Sequence, residues 1–298
     1  MLDGFRLLRA TSLRLYAPNE HSARITNRTD KVAFMSEITP DANNIPMDGF
    51  YNLRDGGDLP AAGGRVRAGR LLRSDEPSTL DQKAIDYFKS LPLQLVIDLR
   101  TEEEIEASAQ PFQTAGFNTD HIGVLSGSIK SMMSNIPSIE ALYLEMINNS
   151  GPQLAEAVAA VSDGVQDGAV VVHCTAGKDR TGVVIALSQS LLGVPRQAIL
   201  NNYAATHANL DGTWLQSTME KYMKKMGMNA ADLQAAAKAS GVNVQQLMQL
   251  ATGSPASAME GVLDQIESQH GSVKNYLIAN GLSEEKIDAL VKALFVPA

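Results

Sequence analysis

The stretch Gly168-Ala169-Val170-Val171-Val172-His173-Cys174-Thr175-Ala176-Gly177-Lys178-Asp179-Arg180-Thr181-Gly182 changes character twice. It opens as a short, β-branched apolar run, the pattern of a strand buried on both faces of a sheet. From Arg180 to Leu192 it is apolar again, with Thr181 and Ser188 interspersed, and predicts a buried helix. The loop between carries the single cysteine of the chain.

Upstream, Leu93-Gln94-Leu95-Val96-Ile97-Asp98-Leu99 is a second run of buried-strand type. Between and around these runs lie helical signals. Thr79-Leu80-Asp81-Gln82 has the Thr-x-x-Gln form of a capping box. It predicts a helix carrying Ile85, Tyr87 and Phe88 and ending near Pro92. The acidic run Glu102 to Glu106 opens another helix, with its charge at the favourable end. Phe117 to Val124 reads as a weaker strand, and Ile139 to Ile147 and Leu154 to Val161 have helical spacing. Strands alternating with helices place the chain in the α/β class, with a central, mostly parallel sheet flanked by helices.

The flanks differ. Leu13 to Tyr16 and Lys31 to Met35 read as short strands in an N-terminal extension, residues 1–46, that stands before the domain at 47–298. Gly49 to Gly69 is glycine-rich and reads as a structured loop, and Arg70 to Arg73 as a short strand. After Pro195, Gln, Ala, Met and Leu dominate, and the chain reads as helices to its end.

Composition narrows the partners. The chain has 298 residues, 44% of them hydrophobic, enough for one large core. A net charge of −8 argues against a broad nucleic-acid surface. One cysteine forms no disulfide within the chain. No apolar run is long enough to cross a membrane, and Met1-Leu2-Asp3-Gly4-Phe5-Arg6 shows no secretory pattern. The expectation is a cytoplasmic protein, or one exported without a visible signal peptide.

The loop itself is an anion cradle. A strand-loop-helix turn points backbone N–H groups of Thr175, Ala176, Gly177 and Lys178 inward at a helix N-terminus, where an anion binds without a metal. Gly177 lets the backbone approach closely. Arg180, separated from Cys174 by five residues, supplies a planar fork for two phosphate oxygens. The same field favours a thiolate on Cys174, placed for in-line attack on a bound phosphate. The Gly-x4-Gly-Lys-Ser/Thr order of a nucleotide loop is absent.

At these residues the chain resembles the cysteine-dependent protein tyrosine phosphatase superfamily, whose signature is His-Cys-x5-Arg-Ser/Thr. The loop is similar to that of bacterial tyrosine and lipid phosphatases reading Cys-x-x-Gly-Lys-Asp-Arg-Thr-Gly. Asn52-Leu53-Arg54-Asp55-Gly56-Gly57, Arg70 to Ser74, Val96 to Arg100 and Gly271 to Leu277 are similar to further blocks of that family. The resemblance implies a cysteinyl-phosphate intermediate on Cys174 and phosphate binding by Arg180. It implies that Thr181 hydrogen-bonds the departing sulfur and that His173 orders the loop. No cofactor and no metal are implied.

The proton donor is less direct. Many relatives place an aspartate on a separate loop, but the corresponding stretch, His121 to Ser128, holds no carboxylate. Asp179 is the candidate, as in myotubularin-like families with Asp-Arg at this place. Asp98 is the alternative, although its block suggests a structural carboxylate pairing Arg54 or Arg100. Lys178 adds a second cation, which in resembling families accompanies phosphoinositide turnover. Expected substrates are therefore phosphotyrosine, phosphoserine or phosphothreonine, and phosphoinositides. Residues 210–255 resemble helices that cover the site in bacterial relatives. Within them Lys221, Lys224 and Lys225 form a small basic face suited to transient contact with an anionic membrane surface. Two rival readings remain: an inactive phosphate-recognising module, and a sulfurtransferase using the same cysteine loop.

Overall fold

The computed structural model describes residues 43–106, 108–125, 137–210, 212–227, 229, 232 and 244–298. The chain divides into two compact units, Met1–Ile38 and Thr39–Ala298. The strands expected at Leu13 to Tyr16 and Lys31 to Met35 lie outside the described residues.

The elements follow in order. Strands β1 (Arg54–Asp55), β2 (Pro60–Ala61), β3 (Gly64–Val66) and β4 (Leu71–Ser74) precede helix α1 (Gln82–Ser90) and strand β5 (Leu93–Asp98). Helices α2 (Glu102–Glu106) and α3 (Pro111–Thr114) lead to β6 (Thr119–His121). Helices α4 (Ile139–Asn149) and α5 (Gly151–Gly164) then precede β7 (Ala169–His173) and α6 (Asp179–Leu191). The rest comprises α7 (Arg196–Ala204), α8 (Thr206–Asn209), α9 (Gly212–Met226), α10 (Val244–Thr252), α11 (Ala256–His270), α12 (Val273–Ala279), α13 (Glu284–Leu294) and β8 (Phe295–Pro297).

The main sheet has the order β1-β4-β7-β5-β6. Strand β7 is its centre and runs parallel to β4 and β5, while β1 is antiparallel to β4. All four parallel strands end on the same edge, the place where open α/β sheets bind ligands. Alternate residues serve opposite faces. Leu71, Ile97, Val170 and Val172 pack into the larger core under the later helices. Leu72, Val96 and Val171 face a smaller core around Phe88 and Phe112. Burial on both faces is why these strands read as continuous apolar runs.

Three expectations are corrected. The cap of α1 is Asp81 rather than Thr79: its carboxylate accepts from the Ala84 N–H at 2.7 Å. Asp81 sits the right three residues before that donor. The Gly49 to Gly69 stretch holds β1, β2 and β3 as well as turns. The last residues are not helical, because β8 pairs antiparallel with β3, Val66 facing Phe295. Such two- and three-residue strands are too short to show alternation, and the partner of β3 is at the far end of the chain.

The smaller core depends on one ring. Phe88 is fully buried, with Phe50, Tyr87, Phe112 and Phe117 at centroid distances of 5.8, 5.4, 5.3 and 6.0 Å. Phe112 in turn lies 5.7 Å from the His173 ring. Phe88→Ala is expected to cost about 3–5 kcal/mol in urea unfolding; a loss under about 1 kcal/mol would contradict this packing.

Candidate active site

Strand β7 delivers Cys174 to the sheet edge, and α6 begins at Asp179. The loop between them is held by its carbonyls. The Thr175 oxygen accepts from the Glu76 N–H at 3.1 Å. The Asn52 side-chain amide donates to the oxygens of Ala176 and Gly177 at 2.9 and 3.1 Å. Arg73 Nη2 donates to the Gly177 oxygen at 2.8 Å. Carbonyls turned outward turn the intervening N–H groups toward the loop centre, which is the requirement for an anion nest.

Gly177 is required here. Its φ is +64°, and a Cβ would fall 2.3 Å from the Ser74 oxygen. Gly182 makes room differently: a Cβ there would meet the Tyr203 ring at 3.0 Å.

Cys174 is 1% exposed, beneath the loop. Arg180 is also buried. Glu104 of α2 grips it end-on, with Nη1 to Oε2 at 2.5 Å and Nη2 to Oε1 at 2.8 Å. Nη1 also donates to the Leu99 oxygen at 3.3 Å, so these bonds use both Nη1 hydrogens and one on Nη2, and the Nε–Nη2 edge keeps hydrogens that they do not use. Glu104 also accepts from the Thr175 hydroxyl at 2.8 Å and from the Thr101 N–H at 2.9 Å. Burial pushes the Glu104 carboxyl up, but the Arg180 hydrogen bonds and charge outweigh it and hold it down at about 2. Burial works against the Arg180 charge; Glu104 and the nearby Cys174 raise its pKa on balance.

His173 is buried, with Nδ1 3.3 Å from the Cys174 carbonyl and Nε2 3.8 Å from Asp98. Desolvation lowers its pKa, against the opposing pull of the Asp98 charge. Asp98 pairs with Arg100 rather than Arg54, at 2.9 Å from Nε and 2.6 Å from Nη2. Despite burial, which raises it, Arg100 and His173 hold its pKa below the ordinary value. An Asp98 kept ionised in this way is a poor proton donor. Arg54 instead donates to the Asn202 oxygen at 3.0 Å and the Thr206 hydroxyl at 2.6 Å.

Asp179, at the start of α6, keeps 23% of its side chain exposed. Its Oδ1 accepts from the Tyr143 hydroxyl at 2.8 Å. Lys178 is buried, and its amine donates to the carbonyls of Leu250, and of Ala251 at 3.2 Å, at the C-terminal end of α10. It also lies 3.5 Å from Asp179 Oδ1. Lys178, the second cation of the loop, thus also caps a helix whose terminal carbonyls carry partial negative charge. The side chains of Lys221, Lys224 and Lys225 lie outside the described residues. The Thr181 and Ser74 hydroxyls are buried and have no hydrogen-bond partner among the described residues.

Glu104, Asn52, Arg73 and Tyr143 were not singled out by sequence reasoning. The acidic run at 102–106 was read as a helix-dipole effect, and only the fold brings its third member to Arg180.

The depressed Glu104 pKa gives a pH prediction. A carboxylate at about 2 folded and 4.5 unfolded stabilises fully above 4.5, and that stability is lost as pH falls toward 2. The upper figure is roughly 3 kcal/mol. Glu104→Gln should therefore unfold at lower urea than the parent above about pH 5, with the gap closing toward about pH 2. A gap independent of pH would contradict the pairing.

The tyrosine phosphatase family model matches residues 45–296. A tyrosine-protein phosphatase of Nostoc commune is 30% identical over 256 residues, 84% of this chain and 75% of that one. The triple specificity protein phosphatase PtpB of Mycobacterium tuberculosis is 24% identical over 278 residues, 82% of this chain and 96% of that one. Among solved structures, TpbA of P. aeruginosa has 14% identity and a TM-score of 0.32, covering 58% of this chain and 87% of that one. The match across nearly all of the described unit, on the strand, loop and helix built above, places this chain in the tyrosine phosphatase family.

Proposed function

We propose that this phosphatase works through a cysteinyl-phosphate on Cys174. The observation that carries the reading is the loop: its carbonyls are held outward over a buried cysteine, and Arg180 is fixed by Glu104 with one edge of its fork left over. Phosphate would sit in the nest with the sulfur beneath it, in line with the leaving oxygen. Arg180 and the loop amides would stabilise the equatorial oxygens in the transition state. Thr181 would donate its hydroxyl to the Cys174 sulfur. Its lack of any other partner among the described residues supports this, because an unmade buried hydrogen bond costs about 1–3 kcal/mol.

Asp179 is the proton donor in this reading. It stands beside Arg180 at the mouth of the loop and retains solvent contact, whereas Asp98 is locked to Arg100. Phosphotyrosine is the primary substrate class, with phosphoserine and phosphothreonine following from an acid carried on the loop itself. Phosphoinositides would be substrates once the Lys178 amine leaves the Leu250 and Ala251 carbonyls to meet a second phosphate. The same tie supports a covering role for the segment at 210–255, through its helix α10. An inactive module is disfavoured by the intact set of Cys174, Arg180 and Thr181, and sulfur transfer gives Asp179 no task.

Two tests follow. Asp179→Asn should lower kcat at least about a hundredfold on an alkyl phosphate and under about tenfold on p-nitrophenyl phosphate, with Cys174→Ser inactive on both. Equal losses on the two esters would sink the acid assignment. Lys178→Ala should depress phosphoinositide turnover more than phosphotyrosine turnover, measured as released phosphate. The same factor on both would remove Lys178 from substrate selection.

A further inference from the structure

Tyr143 of α4 and Tyr203 of α7 are 0% and 1% exposed, and their hydroxyls lie 2.8 Å apart. Tyr143 also sits 2.8 Å from Asp179 Oδ1. Asp179 Oδ1 only accepts, both in the carboxylate and in the acid protonated on Oδ2, so the one hydrogen of Tyr143 goes to Asp179. Tyr203 must then be the donor within the tyrosine pair. The result is a directed chain, Tyr203 to Tyr143 to Asp179, running from the core to the catalytic loop.

The chain is built into the fold rather than incidental. The rings meet edge-on at 75° with centroids 6.0 Å apart. Tyr203 lies against Gly182 of α6, where a Cβ would approach its ring to 3.0 Å. Burial and the Asp179 charge keep both phenols protonated, since each pKa is raised. They act as fixed donors and do not titrate into the reaction. The charged groups around the chain include Lys178, 3.5 Å from Asp179 Oδ1, Arg180, whose charge interacts with Asp179, and Arg73 and Glu140, which act on Tyr203 with opposite sign.

We infer that Tyr143, braced by Tyr203, is the positioning residue that divides the work between the two oxygens of Asp179. This rests on Asp179 being the proton donor. Oδ1 is the anchored oxygen, held by the Tyr143 hydroxyl, and Oδ2 carries the proton. In the first step the Cys174 sulfur bonds to phosphorus and the bond to the leaving oxygen breaks. The Oδ2 proton moves to that oxygen, and Asp179 is left as a carboxylate stabilised by Tyr143. In the second step water bonds to phosphorus, the sulfur–phosphorus bond breaks, and a water proton returns to Oδ2.

Tyr143→Phe removes the hydroxyl and keeps the ring. It should lower kcat about tenfold on an alkyl phosphate and under about twofold on p-nitrophenyl phosphate, the value of a lost hydrogen bond to a charged group. Added to Asp179→Asn it should lower kcat no further. Tyr203→Phe should repeat the pattern with a smaller loss, and serves if the first variant fails to fold. Equal losses on both esters, no loss on either, or a full loss persisting in the Asp179→Asn background would overturn the positioning role. Asp179→Asn falling equally on the two esters would remove the acid itself, a result separable from failure of Tyr143 alone.

Discussion

Three consecutive carbonyls, those of Thr175, Ala176 and Gly177 in the loop after β7, are each held by a donor from outside the loop. Backbone N–H groups converge on an anion only if their neighbouring oxygens are satisfied elsewhere. The donors come from three places. Asn52 lies on the approach to β1, Arg73 on β4, and Glu76 beyond β4. Each belongs to the edge of the sheet next to β7, so the loop geometry and the strand order are one arrangement.

That arrangement puts several guanidinium groups in the interior, a costly thing to do without partners. Arg54, Arg73 and Arg100 are among the largest fully buried side chains. Arg100 is matched by Asp98, Glu76 and the Ser108 hydroxyl. Arg54 and Arg73 are met largely by carbonyls and amides of α7 and the loop, including Asn202. Arg180 differs, because Glu104 satisfies only one side of its fork. Its unmatched side faces the place where the substrate phosphate is proposed to bind.

The sequence made some of this plain and hid the rest. Strands β5 and β7 and helix α6 were legible because burial on both faces leaves an unbroken apolar run. Cys174 and Arg180 were legible as candidates because they lie in one local spacing. Asn52 and Arg73 were visible as parts of blocks, but their hydrogen bonds span more than a hundred residues, and no spacing encodes that. Glu104 looked like one more acid in a helix start. Lys178 lies 3.5 Å from its loop neighbour Asp179, but the α10 carbonyls that also hold it lie 72 and 73 residues away, which no local spacing encodes. Nothing in the sequence marks Tyr143 or Tyr203; the fold alone brings Tyr143 to Asp179 and Tyr203 to Tyr143.

Covalent catalysis by Cys174 is the claim on which the rest depends. The most direct measurement is acid quenching of the enzyme during turnover of an aryl phosphate, followed by peptide mass analysis. One phosphoryl group should be found on the peptide carrying Cys174, and none on Cys174→Ser. Turnover at full rate with no phosphoryl group on Cys174 at any quench time would contradict the account.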